Sequence, residues 1–202
     1  MNKMKAYAGI GAREINAGLQ IEFVKIGRRL AQAGLTLRSG GAQGADLSFE
    51  WGADDGSGVK EIFLPWKGFN HNKSTLILPE PIPTNIVSIA RSIYPHWDHV
   101  TEPVRRLHAR NVMQILGWDL NDPSAFVVCY TERPYNDPNA VGGTLFGIKL
   151  AEANDIPVYN FFVRGDRERF YKMLDILQNE GIDTSDIPEL TEEQFKQMKR
   201  NA

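Results

Sequence analysis

Leu35-Thr36-Leu37-Arg38-Ser39-Gly40-Gly41-Ala42-Gln43-Gly44-Ala45-Asp46 joins a short apolar run to a segment of helical composition through three glycines. The pattern reads as strand, tight turn and helix start. The first amides of a helix have no intrahelical acceptor, and the helix dipole places partial positive charge there, so such a junction favours an anion. Gly40, Gly41 and Gly44, with Ala42 between them, let the main chain approach closely, and Ser39 adds a hydroxyl donor. A phosphate is the expected guest. The turn fits neither standard phosphate fingerprint. No Lys-Ser/Thr follows Gly44, and the turn follows the second expected strand rather than the first.

Upstream, residues 5–10 read as a buried first strand running into Gly9-Ile10-Gly11-Ala12-Arg13. Small residues at the strand end are expected to leave room for a ligand, and Arg13 can offer a bidentate fork to phosphate or carboxylate. Ligands of open α/β sheets sit at the carboxyl ends of the strands. From Leu19, the positions Phe23, Ile26, Leu30 and Ala33 recur at helical spacing until Gly34 ends the helix.

Downstream, Ala45, Phe49 and Ala53 pack the second helix, and residues 60–64 form a third strand. The proline-bearing stretch 67–83 reads as a long loop. Trp66 and Phe69 either form a stacking wall for a base or cover the core. A short helix is expected over 85–92 and a long one over 102–120. Arg105, Arg106, His108 and Arg110 gather near the start of the latter, against its dipole, so His108 and Arg110 are candidates for an anion site or for a solvated face. Residues 124–130 are the most apolar run, expected mid-sheet, with Cys129 as a buried thiol. A loop over 131–140 then leads to a second glycine turn, Val141-Gly142-Gly143-Thr144, and a helix over 145–154, repeating the logic of the first. A fifth strand over 156–162, a helix over 166–178 and a capped helix at Thr191-Glu192-Glu193-Gln194 complete the chain.

This alternation predicts an α/β, Rossmann-like, doubly wound, mainly parallel sheet with helices on both faces. The expectation is a single domain over 1–202 with a short helical tail from about residue 183. The 25 acidic and 23 basic residues leave a net charge of −2, which argues against holding nucleic acid through its phosphates. Cys129 is the only cysteine, so no disulfide forms within one chain. No apolar run is long enough to cross a bilayer and the N-terminus has no signal-like core, which makes a cytoplasmic protein without membrane partners the expectation. His96, Asp98 and His99 lack metal-ligand spacing, and neither a metal nor another cofactor is expected.

Gly9-Ile10-Gly11-Ala12-Arg13, Ser39-Gly40-Gly41-Ala42-Gln43-Gly44-Ala45-Asp46 and Gly142-Gly143-Thr144 together resemble the SLOG superfamily over residues 5 to 160. This Rossmann-like group includes the DprA DNA-processing proteins, the LOG phosphoribohydrolases and nucleotide-sensing domains of defence systems. The chain looks most like small stand-alone DprA-like proteins of phages and bacteria. The resemblance places Gly11, Arg13, Ser39 to Gly44 and Gly142 to Thr144 around a nucleotide or phosphate, and implies a homo-oligomer. It leaves three functions open. One is a binding module that grips a nucleotide-derived small molecule and sequesters an immune signal. Another is a nucleotide N-glycosidase in which Glu50 or Asp46 stabilises an oxocarbenium-like centre. The third is single-stranded DNA binding. The first is favoured, because phosphate-binding parts are plentiful and an acid–base pair is not.

Overall fold

The computed structural model describes residues 5–94, 96–132 and 142–179. The expected helix at Thr191 to Gln194, the tail from about 183 and most of the loop over 131–140 lie outside the described residues. The elements run β1 (Ala6–Gly11), α1 (Ala17–Gln32), β2 (Thr36–Ser39), α2 (Ala45–Asp55), β3 (Lys60–Ile62), α3 (Thr84–Ile93), α4 (Glu102–Leu116), β4 (Val127–Tyr130), α5 (Gly143–Glu152), β5 (Val158–Asn160) and α6 (Arg164–Asn179). The sheet is wholly parallel, in the order β3-β2-β1-β4-β5.

Parallel neighbours need crossovers, and those crossovers put helices on both faces. Side chains alternate along each strand accordingly. Tyr7, Leu37, Val128 and Tyr159 lie in the core beneath α1, α2 and α6. Ala8, Ile10, Val127 and Cys129 lie beneath α3, α4 and α5. This is the doubly wound, Rossmann-like architecture that the alternation of elements predicts.

The expected element boundaries shift for local reasons. Helix α4 stops at Leu116 rather than continuing to residue 120, because Gly117 takes φ 81°. The middle strand is β1, with the more apolar β4 beside it. The small residues of β1 serve packing: a Cβ on Gly9 would lie 2.7 Å from the Phe49 ring, and one on Gly11 would lie 2.5 Å from the Ala45 Cβ. They therefore admit helix α2 to the sheet, rather than simply leaving space for a ligand. Helices α1 and α2 touch main chain to main chain, since a Cβ on Gly52 would stand 2.2 Å from the Val24 carbonyl oxygen. No helix among the described residues is long and apolar enough to cross a membrane.

Arg38 on β2 is only 2% exposed. Its Nε donates to Glu61 Oε2 at 2.7 Å, one terminal nitrogen donates to Asp122 Oδ2 at 2.6 Å, and the other donates to the Asp122 carbonyl. The guanidinium thereby fastens β3 and the turn before β4 to the second strand. Removing the buried side chain opens a void, while the half-exposed Glu61 and Asp122 carboxylates turn to water. Arg38→Ala is expected to lower the unfolding free energy by about 3 kcal/mol in urea titration, with a smaller loss for Arg38→Met, which keeps the volume.

Candidate functional site

The carboxyl ends of β1 and β4 mark the point where the strand order reverses, the place where open α/β sheets bind ligands. A cavity of about 510 Å³ lies there, within the range of small-molecule sites, roughly 300–1,000 Å³. Gly11, Arg13, Ala42, Asp46, Arg110, Gly142, Gly143 and Thr144 all line it. The two glycine turns, far apart in the chain, thus meet at one cavity, but in different roles.

The first turn is already occupied by the protein's own anion. Asp46 Oδ1 accepts from the Gly11 N–H at 3.2 Å, and Oδ2 accepts from the N–H groups of Gly40 at 3.2 Å and Ala42 at 3.4 Å. The Ala45 N–H is also committed, donating to the Ala12 carbonyl at 3.1 Å. That dock requires glycine at 44, because a Cβ there would lie 2.3 Å from the Arg13 carbonyl oxygen. Arg110 lies over Gly40 in the space a side chain would fill, with Nη1 3.7 Å from Asp46 Oδ2. Burial raises the Asp46 pKa against the pull of Arg110 and the three amides, and burial lowers that of Arg110 against the pull of Asp46.

The expectation that Ser39, Gly40, Gly41 and Gly44 hold a phosphate is therefore corrected. None of the four lines the cavity. Ser39 Oγ donates to the Gly9 carbonyl at 2.8 Å, and the Gly41 carbonyl accepts from Asn70 at 2.9 Å. The loop over 67–83 seals this region from outside. Arg106 ties it down, donating to the carbonyls of Pro65, just before the loop, at 2.8 Å and of Leu78, within it, at 2.9 Å. Phe69 is buried in the core beneath the Arg110 guanidinium, 5.8 Å from its carbon, with Trp66 edge-on to it on the outer side. Neither aromatic lines the cavity, so they form no base-stacking wall there.

The second turn has no such occupant. Gly142 takes φ 154° and ψ 153°, a conformation essentially confined to glycine, and no side chain caps α5. The ladder begins with Phe146 N–H donating to the Gly142 carbonyl, so the amides of Gly143, Thr144 and Leu145 have no acceptor among the described residues. Asn111 Nδ2 fixes the helix start by donating to the Gly143 carbonyl at 3.1 Å. Arg13 is exposed and has no carboxylate partner among the described residues.

Val104, Leu107, Asn111 and Gln114 of α4 are not among the residues the sequence singles out. All four line the cavity together with His108. Their three- and four-residue spacing was visible, but a helical stripe looks the same whether it faces a core or a hollow. His108 packs against the rings of Tyr94 and Phe146, and burial, reinforced by the Arg110 charge, lowers its pKa to about 4. Thr131, also on the cavity wall, is held by Asn160, which accepts from its N–H at 3.1 Å and donates to its carbonyl at 3.0 Å.

The carboxylates named for glycosidic chemistry are poorly placed for it. Asp46 is engaged as described, and Glu50 is buried behind the first turn, off the cavity, accepting from Asn72 at 3.1 Å. No family model, curated protein or solved structure matches the chain. The geometry is therefore the ground for a functional reading.

Burial, with the nearby Asp46 charge adding to it, pushes the Glu50 pKa up to about 7. An acid raised in the folded state binds more protons there than when unfolded, so its stabilising effect is full below its ordinary pKa and is lost as pH rises through the folded value. Thermal melts should show stability falling between about pH 4.5 and pH 7 by roughly 3 kcal/mol. Glu50→Gln should flatten that fall. Asp46→Asn, which leaves Arg110 buried without a counter-charge, should cost on the order of 3 kcal/mol at neutral pH.

Proposed function

We propose that this protein binds a nucleotide-derived, phosphate-bearing small molecule in the cavity at the carboxyl edge of its sheet and holds it without turning it over. The observation that carries this reading is that the start of α5, whose first amides have no acceptor among the described residues, lines the same cavity as Arg13, which has no carboxylate partner among them. Free amides at a positive helix end and a guanidinium are the two parts a phosphate requires. The phosphate seat is the second glycine turn, Gly142 to Thr144, with Arg13 opposite. The first turn braces it.

The resemblance to the SLOG superfamily supports a nucleotide as the ligand, and the engagement of Asp46 by three amides, with Glu50 off the cavity, supports retention over hydrolysis. Capture of a soluble nucleotide signal is the biological role that fits a site of this kind. A cavity of about 510 Å³ suits one small molecule better than a strand of DNA, which needs a groove that tracks its backbone.

Mass spectrometry of the supernatant after heat denaturation should identify a released nucleotide, and calorimetry should show binding of a nucleoside monophosphate but not of its nucleoside. Thr144→Asp puts a carboxylate where the dipole of α5 welcomes one, so the melting temperature should hold or rise while affinity drops more than about tenfold. Arg13→Ala, at an exposed position, should weaken binding by a similar factor with no change in stability. Undiminished affinity in both variants refutes the seat.

A further inference from the structure

Two residues of α4, Arg110 and Gln114, stand one turn apart on the same face of the helix, and both line the cavity. They are 5% and 1% exposed. Each carries a buried nitrogen without a hydrogen-bond partner among the described residues, Nε of Arg110 and Nε2 of Gln114. Asn111, between them in sequence, donates to the Gly143 carbonyl and so sets this wall against the start of α5. Gln114 lies three residues beyond Asn111, roughly 4.5 Å along the helix axis.

Both orphaned atoms are donors that cannot accept, so what they lack is an acceptor. Buried polar groups in proteins are almost always satisfied, and no described residue supplies that acceptor. Asp46, the carboxylate across from Arg110, is engaged by three amides and stands 3.7 Å from Nη1, beyond the usual hydrogen-bond length. Glu14 also lines the cavity, but it is exposed and pairs with neither residue. Burial works against the Arg110 charge, Asp46 offsets this in part, and Arg13 adds to the repulsion. A charged oxygen therefore suits the pair better than a neutral carbonyl, since a hydrogen bond between ionised groups is roughly twice as strong.

We propose that Arg110 and Gln114 form a second oxyanion seat in the cavity, and that the ligand carries two separate oxyanions: its phosphate at the start of α5, and a carboxylate or second phosphoryl group on α4. The ligand class is thus a bisphosphate or a phosphorylated acid with a short spacer, because the two seats are separated by about one turn of α4. The second group satisfies both orphaned donors and supplies the counter-charge that Asp46, occupied elsewhere, gives only at a distance. This inference rests on the phosphate seat proposed above.

Calorimetric titration of the intact protein with glycerol 3-phosphate, 3-phosphoglycerate and glycerol 1,3-bisphosphate tests both seats, since the three share a spacer and differ in the group at its far end. On the wild type, at least one of the two doubly anionic compounds should bind tenfold or more tighter than glycerol 3-phosphate, and which one gains tells a carboxylate from a phosphoryl group. Gln114→Met, close in volume, should weaken the tighter compound about tenfold and leave glycerol 3-phosphate within twofold, with a thermal melt to confirm the fold. No gain from either added group on the wild type, or an undiminished gain in the variant, overturns the second seat while the phosphate seat stands. Failure of all three compounds to bind overturns the phosphate seat, and this inference with it.

Discussion

One carboxylate holds the carboxyl edge of this sheet together. Asp46, carried on the first turn of α2, draws three amides towards itself, one from the end of β1 and two from the turn after β2. It faces Arg110 of α4 across the same spot. Two strands and two helices on opposite faces of the sheet are thereby referred to a single buried charge. An anion covalently attached to the chain needs no association entropy to reach those amides, whereas a diffusing phosphate loses its translational and rotational freedom on binding. The side chain therefore wins the contest for the first glycine turn, and that turn becomes scaffold.

The contrast between the two helix starts follows from their first residues. Helix α2 has an acid in its first turn, and that acid folds back onto the glycines. Helix α5 begins Gly-Thr-Leu with no acid in its first turn and no cap. Similar strand–glycine–helix junctions thus divide the work, one fixing the frame and the other leaving donors without an acceptor among the described residues. Arg13 and Arg110 add to the positive character of the cavity, and each charge disfavours the other. An anion between them would relieve that repulsion.

The fold was legible because apolar strands and amphipathic helices alternate without interruption, and a parallel sheet is the arrangement that such alternation allows. Half of the cavity was legible as well. Arg13 follows the first strand and Gly142 to Thr144 open a helix, positions where topology alone implies a ligand. The rest depended on distances that sequence does not encode. Nothing in the string reveals that the Asp46 carboxylate reaches back to Gly11, or that Arg110 fills the space above Gly40. The long loop over 67–83 carried signs of function, but its hydrogen bonds through Asn70, Asn72 and Ser74 seal the first turn. Arg38 offered no warning of its burial, because an arginine within a strand is ordinarily read as surface.

The strand order also has a temporal side. The ribosome delivers β1, β2 and β3 early, yet the second edge of β1 finds its neighbour only when β4 emerges, after two further helices have been made. At several residues per second, the innermost strand of the finished sheet spends an appreciable time as an outer one, with its hydrogen-bonding groups unmatched. Bare strand edges of this kind invite pairing with other chains. The molecule is thus most vulnerable to misassembly during its own synthesis, and least so once β4 has covered β1.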